Sequence, residues 1–229
     1  MASNDTRRPE LQAVLWDMDG TLIDSEPYWV ASEIALVTRF GGTWTHEDGL
    51  KLVGQGLPFS AEVLQNAGVD LEVDDIIATL TDHVMSLLTE SVPWRPGAVA
   101  LMHSIANAGI PQGLVTMSMN RMATLVADLV SGQPFSTVVS GDQVSKSKPD
   151  PEGYLEGATR LGVDIGMCVA FEDSPAGVAS AHSAGAVTIG LPHLVDISST
   201  AAHVLWNSLA ERTLDDVRDI FTRVVGERA

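Results

Sequence analysis

Ala13-Val14-Leu15-Trp16-Asp17-Met18-Asp19-Gly20-Thr21 is a short apolar run followed at once by two carboxylates two positions apart. The run predicts a short buried strand that ends at Trp16. Side chains alternate along a strand, so residues 17 and 19 leave it on the same side, and Gly20 lets the chain turn sharply beneath whatever they hold. In open α/β sheets ligands bind off the carboxyl ends of the strands, which is where this segment lies. Two close carboxylates repel each other and need a cation, and a hard, oxygen-rich site of this kind suits Mg²⁺. One carboxylate can then attack phosphorus to form an aspartyl-phosphate while the other shuttles a proton. Taken alone, the segment also reads as a solvated Asp-x-Asp-Gly turn, because turns are rich in both residues.

Outward from this motif, short apolar runs alternate with helical patterns from residue 96 onward. Leu101, Met102, Ile105 and Ala108 mark a helix before Gly109, Gly113 to Thr116 a strand, and Met122, Leu125, Val126 and Leu129 the next helix. Thr137 to Ser140 reads as a second short strand. Asp150 and Pro151 predict an N-cap and first helical residue, with Tyr154, Leu155, Ala158 and Leu161 as the buried stripe and Gly162 as the stop. Cys168 to Phe171 is a third strand, and Ser174-Pro175 opens an Ala-rich helix that ends at Gly185. Val187 to Gly190 and His203 to Trp206 complete the strands, and Leu214, Val217, Phe221 and Val224 predict a closing helix. Such alternation predicts an α/β fold, a Rossmann-like doubly wound parallel sheet with helices on both faces.

Residues 27–92 follow another pattern. Val30, Ile34 and Val37 run up to Gly41-Gly42, Val63, Leu64 and Ala67 up to Gly68, and Ile76, Leu80, Val84 and Leu87 form a longer stripe with no strand between them. Connections between a strand and a helix are normally a few residues long, so a block of roughly 65 residues reads as an inserted all-helical cap domain. The expected division is a core of residues 1–26 and 93–229 and a cap of residues 27–92. Gly54-Gln55-Gly56 is half of a dinucleotide fingerprint, but Phe59 replaces the third glycine and no strand precedes it, so it is set aside.

Composition narrows the partners. The chain has 229 residues, 45% hydrophobic, with 13 Lys plus Arg against 30 Asp plus Glu and a formal net charge of −17. A nucleic-acid backbone would be repelled over most of the surface, and a small phosphate ester would need a local cation to hold it. The single cysteine, Cys168, sits in an apolar run and reads as a buried structural thiol. Met1 to Gln12 holds Arg7-Arg8 but continues into Pro9-Glu10 rather than an apolar signal core, and no stretch is long enough to span a membrane. The expectation is a cytoplasmic protein with no nucleic-acid or membrane partner, its oligomeric state left open and a monomer compatible with the sequence.

Three further segments follow predicted strands. Thr116 closes one, with Ser118 and Asn120 at the mouth of the next helix, where hydroxyls and free N–H groups can bind phosphate oxygens. Lys148-Pro149 precedes the helix start at 150, the proline favouring an extended lysine backbone, and Glu172-Asp173-Ser174-Pro175 adds carboxylates suited to a cation. Singly these also read as an N-cap, a surface lysine and a helix-start cap.

Their order, with the helical block between the first and second, resembles the haloacid dehalogenase-like superfamily of aspartate-nucleophile phosphatases over nearly the whole chain. The variant with a helical cap after the first motif includes sugar-phosphate phosphatases and β-phosphoglucomutase. The resemblance implies Asp17 as nucleophile and Asp19 as general acid and base. It implies that Thr116, with Ser118, binds the transferring phosphoryl group and that Lys148 offsets its charge. It further implies that Asp173, helped by Glu172, holds Mg²⁺ together with Asp17 and the backbone carbonyl of Asp19. The substrate would be a small phosphorylated metabolite, a sugar or polyol phosphate. Trp29, Trp44, Gln55, Leu57 and Trp94 are candidates to face the leaving group.

Other readings are weaker. Asp19 argues against a true dehalogenase, which lacks an acid there. Lys51, the one lysine of the helical block, would have to form the imine of a phosphonate hydrolase. A receiver-type phospho-acceptor lacks an inserted cap and places its lysine last. The mutase pattern has a histidine ten residues after the second aspartate, where this chain has Trp29, and a cap arginine where it has Gln55-Gly56-Leu57.

Overall fold

The computed structural model describes residues 10–228, so the reading of residues 1–9 lies outside it. β1 (Ala13–Trp16), β2 (Gln112–Val115), β3 (Phe135–Val139), β4 (Cys168–Glu172), β5 (Val187–Gly190) and β6 (Val204–Leu205) form one parallel sheet in the order β3-β2-β1-β4-β5-β6. This is the doubly wound order expected of the alternating pattern. Both faces are buried because both sets of alternating side chains are apolar. Val14, Trp16, Val169 and Phe171 join one buried cluster, and Ala13, Leu15, Cys168 and Ala170 the other. The first face is covered by α5 (Ala98–Asn107), α6 (Asn120–Leu129) and α9 (Leu214–Arg228), the second by α7 (Glu152–Leu161) and α8 (Pro175–Ala184).

Trp16 stacks on Phe171 with ring centroids 4.2 Å apart. Its indole N–H donates to Gln112 Oε1 at 2.8 Å, and the Gln112 amide donates onward to the Met102 carbonyl at 2.9 Å. The buried Gln112 amide thus both accepts and donates a hydrogen bond inside the sheet.

Helix ends follow local chemistry. Ser174 Oγ accepts from the Gly177 N–H at 3.1 Å at the start of α8, Pro175 takes the first turn, and left-handed Gly185 ends the helix. α7 begins one residue later than expected, with Pro151 at the cap and Asp150 Oδ1 accepting from the Glu152 N–H at 3.1 Å. Leu155 does not belong to its buried stripe and is 41% exposed. It lies about 100° round the helix from Tyr154, and the face against the sheet is made by Gly153, Tyr154, Gly157 and Ala158. The last strand is short, Val204–Leu205, although the N–H groups of His203 and Trp206 still donate to the carbonyls of Thr188 and Gly190. Cys168 is buried in β4 and donates to the Asp164 carbonyl at 3.3 Å; burial pushes its thiol up to about 12.

Between β1 and α5 the chain adds no strand to the sheet and forms α1 (Glu26–Arg39), α2 (His46–Leu50), α3 (Leu57–Asn66) and α4 (Val73–Glu90). α2 went unread in the sequence, yet Thr45 and Asp48 form a reciprocal capping box at its start. α4 buries Ile76, Leu80 and Val84 as expected, but Leu88 rather than Leu87 continues the stripe, four residues beyond Val84. The two connections to this block run side by side, with the Asp24 N–H donating to the Pro93 carbonyl at 2.9 Å and the Arg95 N–H to the Leu22 carbonyl at 2.8 Å. Arg121 of α6 reaches over to α4, pairing with Asp82 and donating to the Ala78 carbonyl at 2.9 Å. Among the described residues no helix is long and apolar enough to cross a membrane.

Candidate active site

β1 and β4 lie side by side with Trp16 opposite Phe171, so the next pair along is Asp17 and Glu172. They stand at the crevice where the strand order reverses, the expected ligand position of a doubly wound sheet. Carboxylate oxygens of Asp17, Glu172 and Asp173 all lie within 4.8 Å of one another, and all three residues are buried. Gly20 is required beside them. It adopts φ +83°, and a Cβ there would overlap the Asp173 carboxylate. Gly177 leaves room for Glu172 in the same way.

Lys148 is brought in from 131 positions away by the loop before α7, across a cis bond to Pro149. Its Nζ donates to Asp17 Oδ1 at 2.7 Å, to Glu172 Oε1 at 2.6 Å and to the Val115 carbonyl at 3.0 Å, using all three N–H bonds. Burial alone would lower its proton affinity, but the charges of Asp17 and Glu172 outweigh that and hold the ammonium above its ordinary range. Tyr154 caps the cluster from below. Its hydroxyl donates to Glu172 Oε1 at 2.7 Å, and burial followed by the charges of Glu172 and Asp17 keeps it protonated well above its usual value.

One ammonium does not balance three carboxylates. Burial, then the charge of Glu172, pushes Asp17 up to about 7 against the pull of Lys148, and burial with the charges of Asp17 and Glu172 raises Asp173 as well. Asp17 Oδ2 and Glu172 Oε2 are buried with no hydrogen-bond partner among the described residues. Orphaned carboxylate oxygens at the centre of an acidic cluster fit a hard cation, and a carboxylate donor set suits Mg²⁺.

Asp19 turns away from this cluster. Its Oδ1 accepts from Ser25 Oγ at 2.5 Å and Trp29 Nε1 at 3.2 Å, and its Oδ2 from Ser118 Oγ at 2.7 Å and Thr116 Oγ1 at 3.3 Å. Thr116 and Ser118 therefore meet Asp19 as expected of residues at one site. The Ser118 N–H, however, is taken by Thr116 Oγ1, and the Asn120 N–H by Asp142 Oδ1, so neither amide is free for an anion.

A cavity of about 120 Å³ joins these groups to the helical block, lined from the sheet side by Asp17, Asp19, Thr116, Ser118, Lys148 and Asp173. Trp29, Gln55 and Leu57 line it as anticipated, and so does Gly54, which gives the set-aside glycine segment a place in the cavity wall. Trp44 and Trp94 do not line it. Trp44 donates instead to Glu33 Oε2 at 3.0 Å, and the Trp94 backbone pairs with Ile23. Lys51 is also outside, ion-paired to Asp48 at 2.7 Å with its side chain 71% exposed, so the imine reading has no lysine from the block in the cavity. Four polar lining residues were missed in the sequence: Glu26, Glu33, Ser60 and His193. The two glutamates sit seven apart on α1, a helical spacing that marks a shared face but not a cavity behind it.

A family model described as haloacid dehalogenase-like hydrolase matches residues 14–191, spanning every one of these sheet-side groups. The chain belongs to that family. It is an enzyme of the family's phosphoric monoester hydrolase type. Hexitol phosphatase A of Escherichia coli (strain K12) is 34% identical to it over 187 residues, 77% of this chain and 81% of the relative. The phosphorylated carbohydrates phosphatase of Thermotoga maritima is 30% identical over 180 residues, 76% and 82% of the two chains. Among solved structures, CbbY from Rhodobacter sphaeroides in complex with phosphate superposes with a TM-score of 0.83 at 25% identity, covering 91% of this chain and 99% of that one.

Proposed function

We propose that this protein hydrolyses a small phosphate monoester of a sugar or polyol, with Mg²⁺, through an aspartyl-phosphate on Asp17. The observation that carries the reading is the place of Asp17: its carboxylate borders the cavity, paired through Oδ1 with Lys148 and grouped with Glu172 and Asp173 in a cluster that fits a cation. In-line attack forms a bond from an Asp17 carboxylate oxygen to phosphorus as the bond to the ester oxygen breaks, and Asp19 protonates the departing alkoxide. Asp19 then takes a proton from water, whose oxygen attacks phosphorus and releases phosphate with the Asp17 carboxylate restored. The Thr116 and Ser118 hydroxyls would turn to the phosphoryl oxygens, and Lys148 would face the charge spread over them. Asp17, Asp173 and the Asp19 carbonyl, with Glu172 behind them, would hold Mg²⁺, which supplies further neutralisation of the phosphoryl charge. Residues 27–92 serve as the cap that excludes water and reads the leaving group. The relatives named above for hexitols and phosphorylated carbohydrates support the substrate class. The decisive experiment is a Mg²⁺-dependent phosphate-release screen over sugar phosphates, polyol phosphates, nucleotides and phosphoglycolate; release only from nucleotides would overturn the substrate class.

The metal assignment has a readout besides turnover. Asp17 binds a proton up to about pH 7 in the folded chain but only below its ordinary value of 3.8 when unfolded. The folded state thus holds more protons than the unfolded one between these values, and metal-free stability falls as pH rises through that window. Mg²⁺ should reverse the loss. At about a hundredfold excess over Kd it contributes about 2.7 kcal/mol, or roughly 5–10 °C in Tm for a chain of this size. The gain should be larger at pH 8 than at pH 5 and should shrink in Asp173→Ala. A Tm indifferent to Mg²⁺ at pH 8 would remove the metal from this cluster.

The mutase reading draws no support from the cavity. Trp29 donates to Asp19 at the position where the mutase pattern has histidine, and Lys148 is the one lysine on the cavity wall among the described residues. The protein should release inorganic phosphate and should not convert β-glucose 1-phosphate into glucose 6-phosphate when primed with the bisphosphate. Isomer formation without phosphate release would make the mutase the better reading.

A further inference from the structure

The chemistry above leaves one wall of the cavity unused. Glu26 and Glu33 stand two turns apart on α1 and both line the cavity, on the side of the helical block. Glu33 is only 4% exposed. Its Oε2 accepts from Trp44 Nε1 at 3.0 Å, while its Oε1 and both Glu26 oxygens take no hydrogen bond from any described residue. Gly49 makes room for this head group, since a Cβ there would come within 2.9 Å of Glu33 Oε2. The basic groups on the same cavity are already engaged. Lys148 is spent on Asp17 and Glu172, and His193 pairs through Nε2 with Asp24 Oδ1 at 2.9 Å and meets Arg95 through its other ring nitrogen.

We propose that Glu26 and Glu33 select the leaving group, accepting hydrogen bonds from the hydroxyls of an uncharged sugar or polyol and rejecting one that carries a second anion. The inference rests on the phosphatase reading and narrows it to residues. A carboxyl group keeps an acceptor oxygen whether or not it is protonated, so hydroxyl recognition does not hinge on titration. Burial, then the charge of Glu33, pushes Glu26 up to about 8, and burial pushes Glu33 up to about 7. Above these values a second carboxylate or phosphate at this wall would meet two negative charges and no unengaged cation among the described residues, in a cavity where charge interactions are stronger than in water. Bisphosphates would be excluded for the same reason.

The test compares kcat/KM at about pH 9, where both glutamates are ionised, for phosphate release from glucitol 6-phosphate and from 6-phosphogluconate, which differ at the far end by a hydroxymethyl group against a carboxylate. The wild-type enzyme should favour the polyol ester by at least about a hundredfold. Glu26→Gln with Glu33→Gln should narrow that ratio by about tenfold or more. Glu26→Gln alone, which leaves the Trp44 bond intact, should move it in the same direction if the double variant is unstable. A wild-type ratio near one, a preference for the acid, or a ratio unmoved by either variant overturns the selection role and leaves the phosphatase reading standing. So does release from p-nitrophenyl phosphate when neither member of the pair is hydrolysed. No release from any ester, p-nitrophenyl phosphate included, defeats the phosphatase reading and this inference with it.

Discussion

Asp17→Asn abolishes phosphate release, lowering turnover by at least about 10⁴-fold, the scale seen when an enzyme loses its covalent nucleophile. The fold should survive. The amide keeps an oxygen for Lys148 Nζ, which now donates to Asp17 Oδ1 at 2.7 Å, and the substitution removes a carboxylate whose burial already pushes it up to about 7. The metal-free variant should therefore melt no lower than the wild type at pH 8, since one of the crowded negative charges is gone. Phosphate release and a thermal melt on the same preparation separate the two outcomes. Residual turnover within tenfold of wild type would mean that another group attacks phosphorus, and Asp17 would lose its role.

Lys148→Ala should cost both activity and stability. The ammonium is the shared partner of Asp17 and Glu172, with all three side chains less than a tenth exposed. Removing one member of a buried charged network leaves the others uncompensated, at about 3–5 kcal/mol. Loss of a preorganised charge facing the transferring phosphoryl group costs about 10²–10³ in rate. Lys146→Ala should do neither, because that side chain is 70% exposed and reaches only Asp150, at 3.4 Å. Denaturant midpoints and kcat for the two variants decide the matter. A larger loss from Lys146→Ala would place the charge partner two residues earlier in the chain.

The sequence alone determined the frame. Ala13–Trp16 read as a buried strand with Asp17 and Asp19 beyond its carboxyl end, because apolar run length and a following glycine are properties of neighbouring residues, whereas the turn of Asp19 away from the Asp17 cluster was not legible there. Ser174-Pro175, Gly162 and Gly185 marked helix ends for the same reason: caps and left-handed turns are satisfied within a few residues. Tertiary structure decided what faces what. Periodicity brought Tyr154 to the buried face of its helix, but the pairing of its hydroxyl with Glu172 depends on a strand and a helix meeting across the sheet. The register of β1 against β4 placed Glu172 beside Asp17, and Lys148 crossed 131 positions to join them. Trp44 and Trp94 had the same sequence credentials as Trp29, yet only Trp29 turned to the cavity, and Glu26 and Glu33 gained a role only because the helical block closes over the strand ends. A side chain's partner is fixed by whichever distant segment packs against it, and that is information no local pattern carries.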